Sequence, residues 1–295
     1  MAFTQRLMTA TFELGTGNFG EGKPNTITLT GYRMSATIVK SGGASMGYCN
    51  LRIWGMSFDI MNKLSTLGIM PIALRRNYLQ LSAGDATGQS IVYTGWIQDG
   101  YFDAASMPDV CFHANCLYAL VEALAPNAPN SWKGAVPVAT IMATLAAQKG
   151  WLFQNYGVTS VLVDPALHGT AWDQMQTVRD HANINMIVDD GSPKTLVIWP
   201  MGNARGTQVP IISPATGMIG YPTFTQQGVI VTTEFNPSIA YGQFVEIQSD
   251  LKPACGKWYV NSLTYVLESL LPGGQWLTRF EGLPPNQAPS LPSGG

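Results

Sequence analysis

The chain has 295 residues, 46% of them apolar, with 31 Gly and 19 Pro, which excludes a disordered segment and leaves room for two or three domains. Lys and Arg number 16 and Asp and Glu 18, together 12% of residues, against about 25% in an ordinary soluble domain. The net charge of −2, with Arg75-Arg76 the one adjacent basic pair of note, argues against a nucleic-acid-binding surface.

Residues 1 to 115 read as strands joined by turns. Thr26 to Thr30 alternates polar and apolar, as a half-buried strand does. Met34 to Val39 follows Gly31, and Tyr48 to Trp54 resumes the alternation after the Ser41-Gly-Gly43 turn. Ser57 stands where a helix N-cap belongs, before Ile60, Met61, Leu64 and Leu67 on one face, with Gly68 as the stop. Further strands are expected at Tyr78 to Ser82, Ser90 to Gln98 and Val110 to Cys116. Residues 117 to 204 change character. A short helix or turn spans Ala119 to Ala125, and Val138, Ile141, Met142 and Leu145 follow helical spacing up to Gly150. A strand at Ser160 to Val163 precedes a second helix, capped by Thr170 and carrying Met175, Val178 and Ala182. Asn185 to Val188 and Thr195 to Trp199 flank Asp189-Asp-Gly-Ser-Pro193 as a hairpin. Strands return at Gly228 to Glu234, Gln243 to Gln248, Lys257 to Glu268 and Gln275 to Glu281, before a Pro/Gly-rich tail.

One pattern occurs twice. Asn77 to Asp85 leads through a turn into a long strand to Phe102, then a Pro108 turn and another strand. Gln243 to Asp250 leads through a turn into Lys257 to Leu267, then a Pro272-Gly-Gly turn and another strand. This reads as two related β-modules with a small α/β unit between them.

Charged side chains keep free surface solvated, whereas interface cores are charge-depleted. The composition therefore favours a subunit that covers much of its surface with other subunits; a neutral surface of Ser, Thr, Asn and Gln is the alternative. The longest apolar stretches, such as Val136 to Ala147, fall short of a membrane span and contain Pro or Thr. The opening Met-Ala-Phe-Thr-Gln-Arg lacks the basic and apolar regions of a secretory signal. Cys49, Cys111, Cys116 and Cys255 are too scattered for a disulfide framework. Cys111 and Cys116 stand at an odd offset in one strand, hence on opposite faces, and all four are expected to be buried, reduced thiols.

Several strings mimic catalytic motifs. Gly15-Thr-Gly-Asn-Phe-Gly20 matches a dinucleotide-binding loop, but that chemistry needs a helix opening at once, and Lys23-Pro24 and a strand follow. Gly43-Ala-Ser-Met-Gly47 matches a nucleophile elbow, yet Ser45 falls in a turn between strands rather than between strand and helix, with His113 and His168 the nearest candidate bases. Asp164, His168, Asp173, Asp180 and His181 form the densest polar cluster, but Asp173 more simply faces its helix N-terminus and His168 a turn. The tryptophans at 54, 96, 132, 151, 172, 199, 258 and 276 would suit a sugar-binding face, although strand aromatics more often fill a core. No catalytic, cofactor-binding or metal-binding residue is assigned.

A set of strings points elsewhere. They are Ile27-Thr-Leu-Thr-Gly-Tyr-Arg-Met-Ser-Ala-Thr-Ile38, Leu51-Arg-Ile-Trp-Gly-Met56, Met61-Asn-Lys-Leu-Ser-Thr-Leu-Gly68 and Leu81-Ser-Ala-Gly-Asp85 in the first half. In the second half they are Gly220-Tyr-Pro-Thr223, Gly228-Val-Ile-Val231, Asn236-Pro237, Gly242-Gln-Phe-Val-Glu-Ile-Gln-Ser249 and Trp258-Tyr-Val-Asn261. Together they resemble the central baseplate hub proteins of contractile phage tails, and the hub part of type VI secretion spike proteins. The resemblance implies a mainly β fold with two related β-barrel modules, 1–116 and 205–282, an inserted α/β domain, 117–204, and a tail, 283–295. It also implies a homotrimer whose six modules form a pseudo-sixfold ring. That ring joins the sixfold tail tube to the threefold central spike around a channel, which genome DNA crosses without specific binding. The expected location is the virion baseplate, assembled in the host cytoplasm. Partners are other copies of the chain, a tail tube or tube-initiator protein, and other baseplate and tape-measure proteins. No spike or lysozyme domain is read in this sequence, so the spike is expected to be a separate protein. The family supplies no catalytic residues. The alternatives are another tail part, distal or tube-like, and an envelope carbohydrate-binding protein or hydrolase, which would need convergent acids in a cleft.

Overall fold

The computed structural model describes residues 5–42, 45–66, 76–105 and 107–285. Leu67, Gly68, Arg75, Gly43, Ala44 and the tail from residue 286 lie outside them. The chain is mainly β and packs as two compact units. The first holds the described residues up to Val39, with Gly47–Leu124 and Tyr265–Trp276; the second holds Lys40–Met46, Ala125–Thr264 and the residues from Leu277 on.

In the first unit, period-two burial fixes which face of each strand turns inward. Strand Leu7–Glu13 buries Met8, Ala10 and Phe12 and turns Thr9, Thr11 and Glu13 outward. It pairs antiparallel with both Thr26–Thr30 and Tyr78–Gly84. The strands Tyr78–Gly84, Gln89–Asp103 and Cys111–Leu117 form an antiparallel meander, extended by Tyr48–Trp54 and Met34–Lys40. Register shifts at Leu81/Ser82 and Ile97/Asp99 bend the 15-residue central strand, so that it serves two neighbours along its length. Phe12 meets Phe112 edge-on, with ring centroids 6.4 Å apart, inside this layer. The helix Phe58–Leu64 buries Met61 and Leu64, while Ile60 is half-buried. Ser57 does precede it, but its side chain makes no capping bond, contrary to the expectation.

The second unit contains a three-stranded sheet in which Thr195–Pro200 lies between Leu152–Asn155, parallel to it, and Ile184–Asp189, antiparallel. Parallel neighbours need a crossover, and the helix Ala171–Ala182 lies between them in sequence. With the helix Val138–Gln148 it forms one core, in which Ile141, Met142, Leu145, Met175 and Val178 pack on Met186, Leu196 and Ile198. Thr170 closes the start of the later helix with a capping box. Its hydroxyl accepts from Asp173 N at 3.1 Å, and the Asp173 carboxylate accepts from Thr170 N at 3.0 Å. Asn183, at φ 49°, ends that helix. Replacing Thr170 with Ala is expected to lower unfolding free energy by about 1 kcal/mol, read as a shift in urea midpoint, and Thr170→Ser should retain most of it.

The second unit also holds Val229–Glu234 and Phe244–Ile247, with Gly256–Ser269 as far as Thr264 and Trp276–Leu283 from Leu277 on. The order strand, long strand, strand therefore occurs twice, with central strands of 15 and 14 residues. In neither unit does the path of paired strands close into a barrel among the described residues.

Three cysteines behave as expected: Cys49, Cys111 and Cys116 are buried and free. Cys255 is exposed, a correction. It follows the turn Lys252–Ala254 just before a strand begins, and its thiol donates to Ser249 O at 3.0 Å. Cys49 and Cys116 are direct cross-strand partners, and burial pushes the Cys116 thiol up.

Candidate functional site

The Gly15–Gly20 segment is a bend that leads to strand Thr26–Thr30, with no helix to receive a pyrophosphate. It is tied across its base by Leu14 N to Asn25 O at 2.8 Å and Phe19 N to Pro24 O at 3.1 Å. The loop borders a cleft of about 360 Å³ lined by Leu14, Thr16, Gly17, Asn18, Asn62, Lys63 and Asn77. Ser45 is exposed in the bend between Met34–Lys40 and Tyr48–Trp54, again with no helix after it.

The polar cluster at 164–181 does not converge. Asp164 accepts from Gly134 N at 2.5 Å, Asp173 belongs to the helix cap, and Asp180 pairs with Arg179. His168 and His181 are exposed, and among the described residues no three His, Cys, Asp or Glu side chains are placed to share a metal. None of the eight tryptophans is exposed. Trp199 is fully buried, Trp132, Trp151 and Trp172 pack on the α/β core, and Trp96 donates to Glu122 at 3.0 Å. The other tryptophans are half-buried, so none presents a fully exposed ring as a sugar-stacking platform. Among the described residues no helix is long and apolar enough to cross a membrane.

The strings that carried the resemblance hold turns and packing contacts. In Leu81–Asp85, Asp85 accepts from the Thr87 hydroxyl and from Thr87 N and Gly88 N, which together hold its carboxyl below the usual range. Gly242, at φ +83°, opens another string and lies against the Trp199 ring. Trp199 packs edge-on with Tyr241 at 6.1 Å, and Arg205 lies 5.9 Å from the indole while its guanidinium bonds Asp189. Burial raises the Tyr241 and Tyr259 hydroxyls above their usual range.

Large apolar side chains also reach the surface. Phe58 and Phe102 stack edge-on at 5.9 Å on the first unit, and Met107 is highly exposed. On the second unit, Val161 and Val163 lie exposed beside their strand partners Pro137 and Ala135, while Leu162 between them packs into the core. Tyr101 stacks flat on His113, its cross-strand partner, at 4.8 Å. Burial first, then the Arg52 charge, hold His113 below the usual imidazole value of 6.5. Above that value the folded and unfolded chains bind equal protons at this site. As pH falls below it, the unfolded chain takes a proton that the folded chain resists, so stability is lost towards acid. Between pH 7.5 and 5.5, wild type is expected to lose more stability than His113→Gln in paired urea titrations.

Comparison with known proteins gives the same class as the sequence strings. A family model described as baseplate hub gp41 matches residues 7–270, and the chain belongs to this baseplate hub family. No curated protein matches the sequence. The fold is similar to a tail protein from Neisseria meningitidis MC58, with a TM-score of 0.64 at 10% identity, over 95% of this chain and 99% of that one. It is also similar to the 43 kDa tail protein of prophage MuSo2 from Shewanella oneidensis, with a TM-score of 0.60 at 9% identity, over 96% and 100% of the two chains. A third likeness is to the E. coli c3393 protein, with a TM-score of 0.57 at 9% identity, over 85% of this chain and 73% of that one. That protein is a component of the type VI secretion system with structural similarity to the T4 bacteriophage tail proteins gp27 and gp5.

Proposed function

We propose that the chain is the homotrimeric hub of a phage tail baseplate, joining a sixfold tail tube to a threefold central spike around the genome channel. The observation that carries this reading is membership of the baseplate hub family over residues 7–270. In this reading the chain divides into two related β-barrel-like modules, 1–116 and 205–282, an α/β insertion, 117–204, and a tail, 283–295. Three copies then supply six β-modules to a pseudo-sixfold ring. Closed rings of identical subunits are the usual geometry of such assemblies. The repeated strand, long strand, strand order supports duplicated modules, and the 12% charge supports a large buried interface. Partners are further copies of the chain, a separate spike protein, a tail tube or tube-initiator protein, and other baseplate and tape-measure proteins. DNA passes through without specific binding. The role is geometric and needs no catalytic, cofactor or metal site; the product resides in the virion after assembly in the host cytoplasm. Light scattering on the purified chain should give three times the chain mass. A strict monomer that ignores spike and tube proteins at micromolar concentration refutes the reading.

A further inference from the structure

We propose that the cleft beside the Gly15–Gly20 loop is a binding site for a small oxyanion, a carboxylate or a phosphate group, held by Lys63 and Asn77. The polar groups of this cleft are one-sided. Among the described residues its lining is Leu14, Thr16, Gly17, Asn18, Asn62, Lys63 and Asn77, which includes a lysine and no carboxylate. Asn77 is 4% exposed, and its Oδ1 accepts from Gly15 N at 3.2 Å. That bond fixes the amide: the oxygen faces the loop backbone, so the group left for the cleft is the Nδ2 donor, which has no partner among the described residues. That donor is not one of the buried unpaired side-chain atoms, so solvent reaches it at the cleft wall and an acceptor can too. Lys63 donates one of its three ammonium protons to Asn18 O at 2.6 Å and keeps two. Asp59, one turn earlier on the same helix, makes no ion pair with it. An anion that accepts from both Lys63 and Asn77 replaces water at the amide and neutralises the lysine.

The site is built in advance. A Cβ on Gly15 would lie 2.7 Å from Arg76 O, so only glycine lets the loop close down on the residue preceding Asn77. The two base hydrogen bonds of the loop hold its mouth open on the side of Thr16, Gly17 and Asn18. Those three residues, with Asn62, add neutral donors at the rim. The volume of about 360 Å³ exceeds that of a bare anion, so the oxyanion arrives attached to something larger, an acidic side chain or chain end in one case, a phosphate ester in the other.

The test is equilibrium dialysis of the full chain, at low ionic strength, against labelled inorganic phosphate and separately against labelled acetate. One saturable site per chain is expected for at least one ion, with a dissociation constant on the order of 1 mM. Preference for acetate identifies a protein carboxylate as the natural occupant, and preference for phosphate a phosphate ester. Asn77→Asp keeps the acceptor that Gly15 N needs and replaces the donor with a negative oxygen, so it should weaken binding at least tenfold. Lys63→Gln should do the same, and because this side chain is only partly buried it carries the test if Asn77→Asp does not fold. Absence of saturable binding to either ion, or unchanged binding in a folded Lys63→Gln chain, overturns the proposal. Neither outcome touches the trimer measurement on which the hub reading depends.

Discussion

Gly242→Ala should unfold at a much lower urea concentration than wild type, with a loss on the order of 3–4 kcal/mol. Two separate costs add. Gly242 sits at φ +83°, where an L side chain is strained by about 1–2 kcal/mol. Its added Cβ would also collide with the Trp199 ring, and overpacking a filled site costs about 1–3 kcal/mol. Relief by a backbone shift is blocked on both sides. Gly242 N donates to Val260 O at 2.8 Å, and Gly242 O accepts from Arg205 N at 2.8 Å. The indole cannot retreat either, because Trp199 is fully buried against Ile187, Val197 and Tyr241. Gly273→Ala separates the two costs: it has a similar φ of +69° and nothing within 4 Å of its Cβ, so it should lose only the backbone part. Equal losses for the two variants would mean that the Trp199 wall yields.

The same glycine shows what a sequence can and cannot reveal. Gly242-Gln-Phe-Val-Glu-Ile-Gln-Ser249 was legible as a family string, but the reason for its first residue was not, because Trp199 lies 43 positions earlier. Local period was the reliable guide. Thr26–Thr30 and Tyr48–Trp54 have the bounds that their alternation implied, and the helix after Thr170 has the cap implied by a Thr with an acid three residues on. Strand Leu7–Glu13 carries the same alternation, with Met8, Ala10 and Phe12 inward, so it too is legible from local period. The two-residue strands Asn130–Ser131, Ala166–Leu167, Ile211–Ile212 and Thr223–Phe224 carried none, since two residues have no period and only a distant partner makes them strands. Ser57 illustrates the converse: a correct residue type at a helix start that makes no capping bond. The dinucleotide-like loop leads to a strand and not to a helix, as Lys23-Pro24 and the alternation after them imply. The cleft it borders depends on Asn77 and Lys63, which only the fold brings to residue 15.

Asp190→Ala should be about as damaging as Gly242→Ala, for an electrostatic reason. In a chain with so few charges, most could stay in water, yet Lys40 and Asp190 do not. Lys40 Nζ lies 2.7 Å from the Asp190 carboxylate, and the two side chains are 16% and 4% exposed. Removing one member of a buried pair takes this close counter-charge from the other in a poorly solvated site, a loss of about 3–5 kcal/mol. The paired charges themselves need contribute little, because their mutual attraction is set against the cost of desolvating both. Lys40→Met combined with Asp190→Leu should therefore recover most of what either single change loses, and the double-mutant cycle should give a coupling above about 1 kcal/mol. Asp189, next to Asp190 in sequence, pairs with Arg205, but its side chain is 32% exposed, so Asp189→Ala should cost less than Asp190→Ala. Lys40 ends the strand Met34–Lys40, and Asp190 sits in the turn between Ile184–Asp189 and Thr195–Pro200. Lys40 and Asp190 both belong to the second unit, and the pair pins Lys40 to the tip of that hairpin. If Asp190→Ala unfolds within 1 kcal/mol of wild type, that pinning is absent, and the pair is only a tolerated consequence of packing.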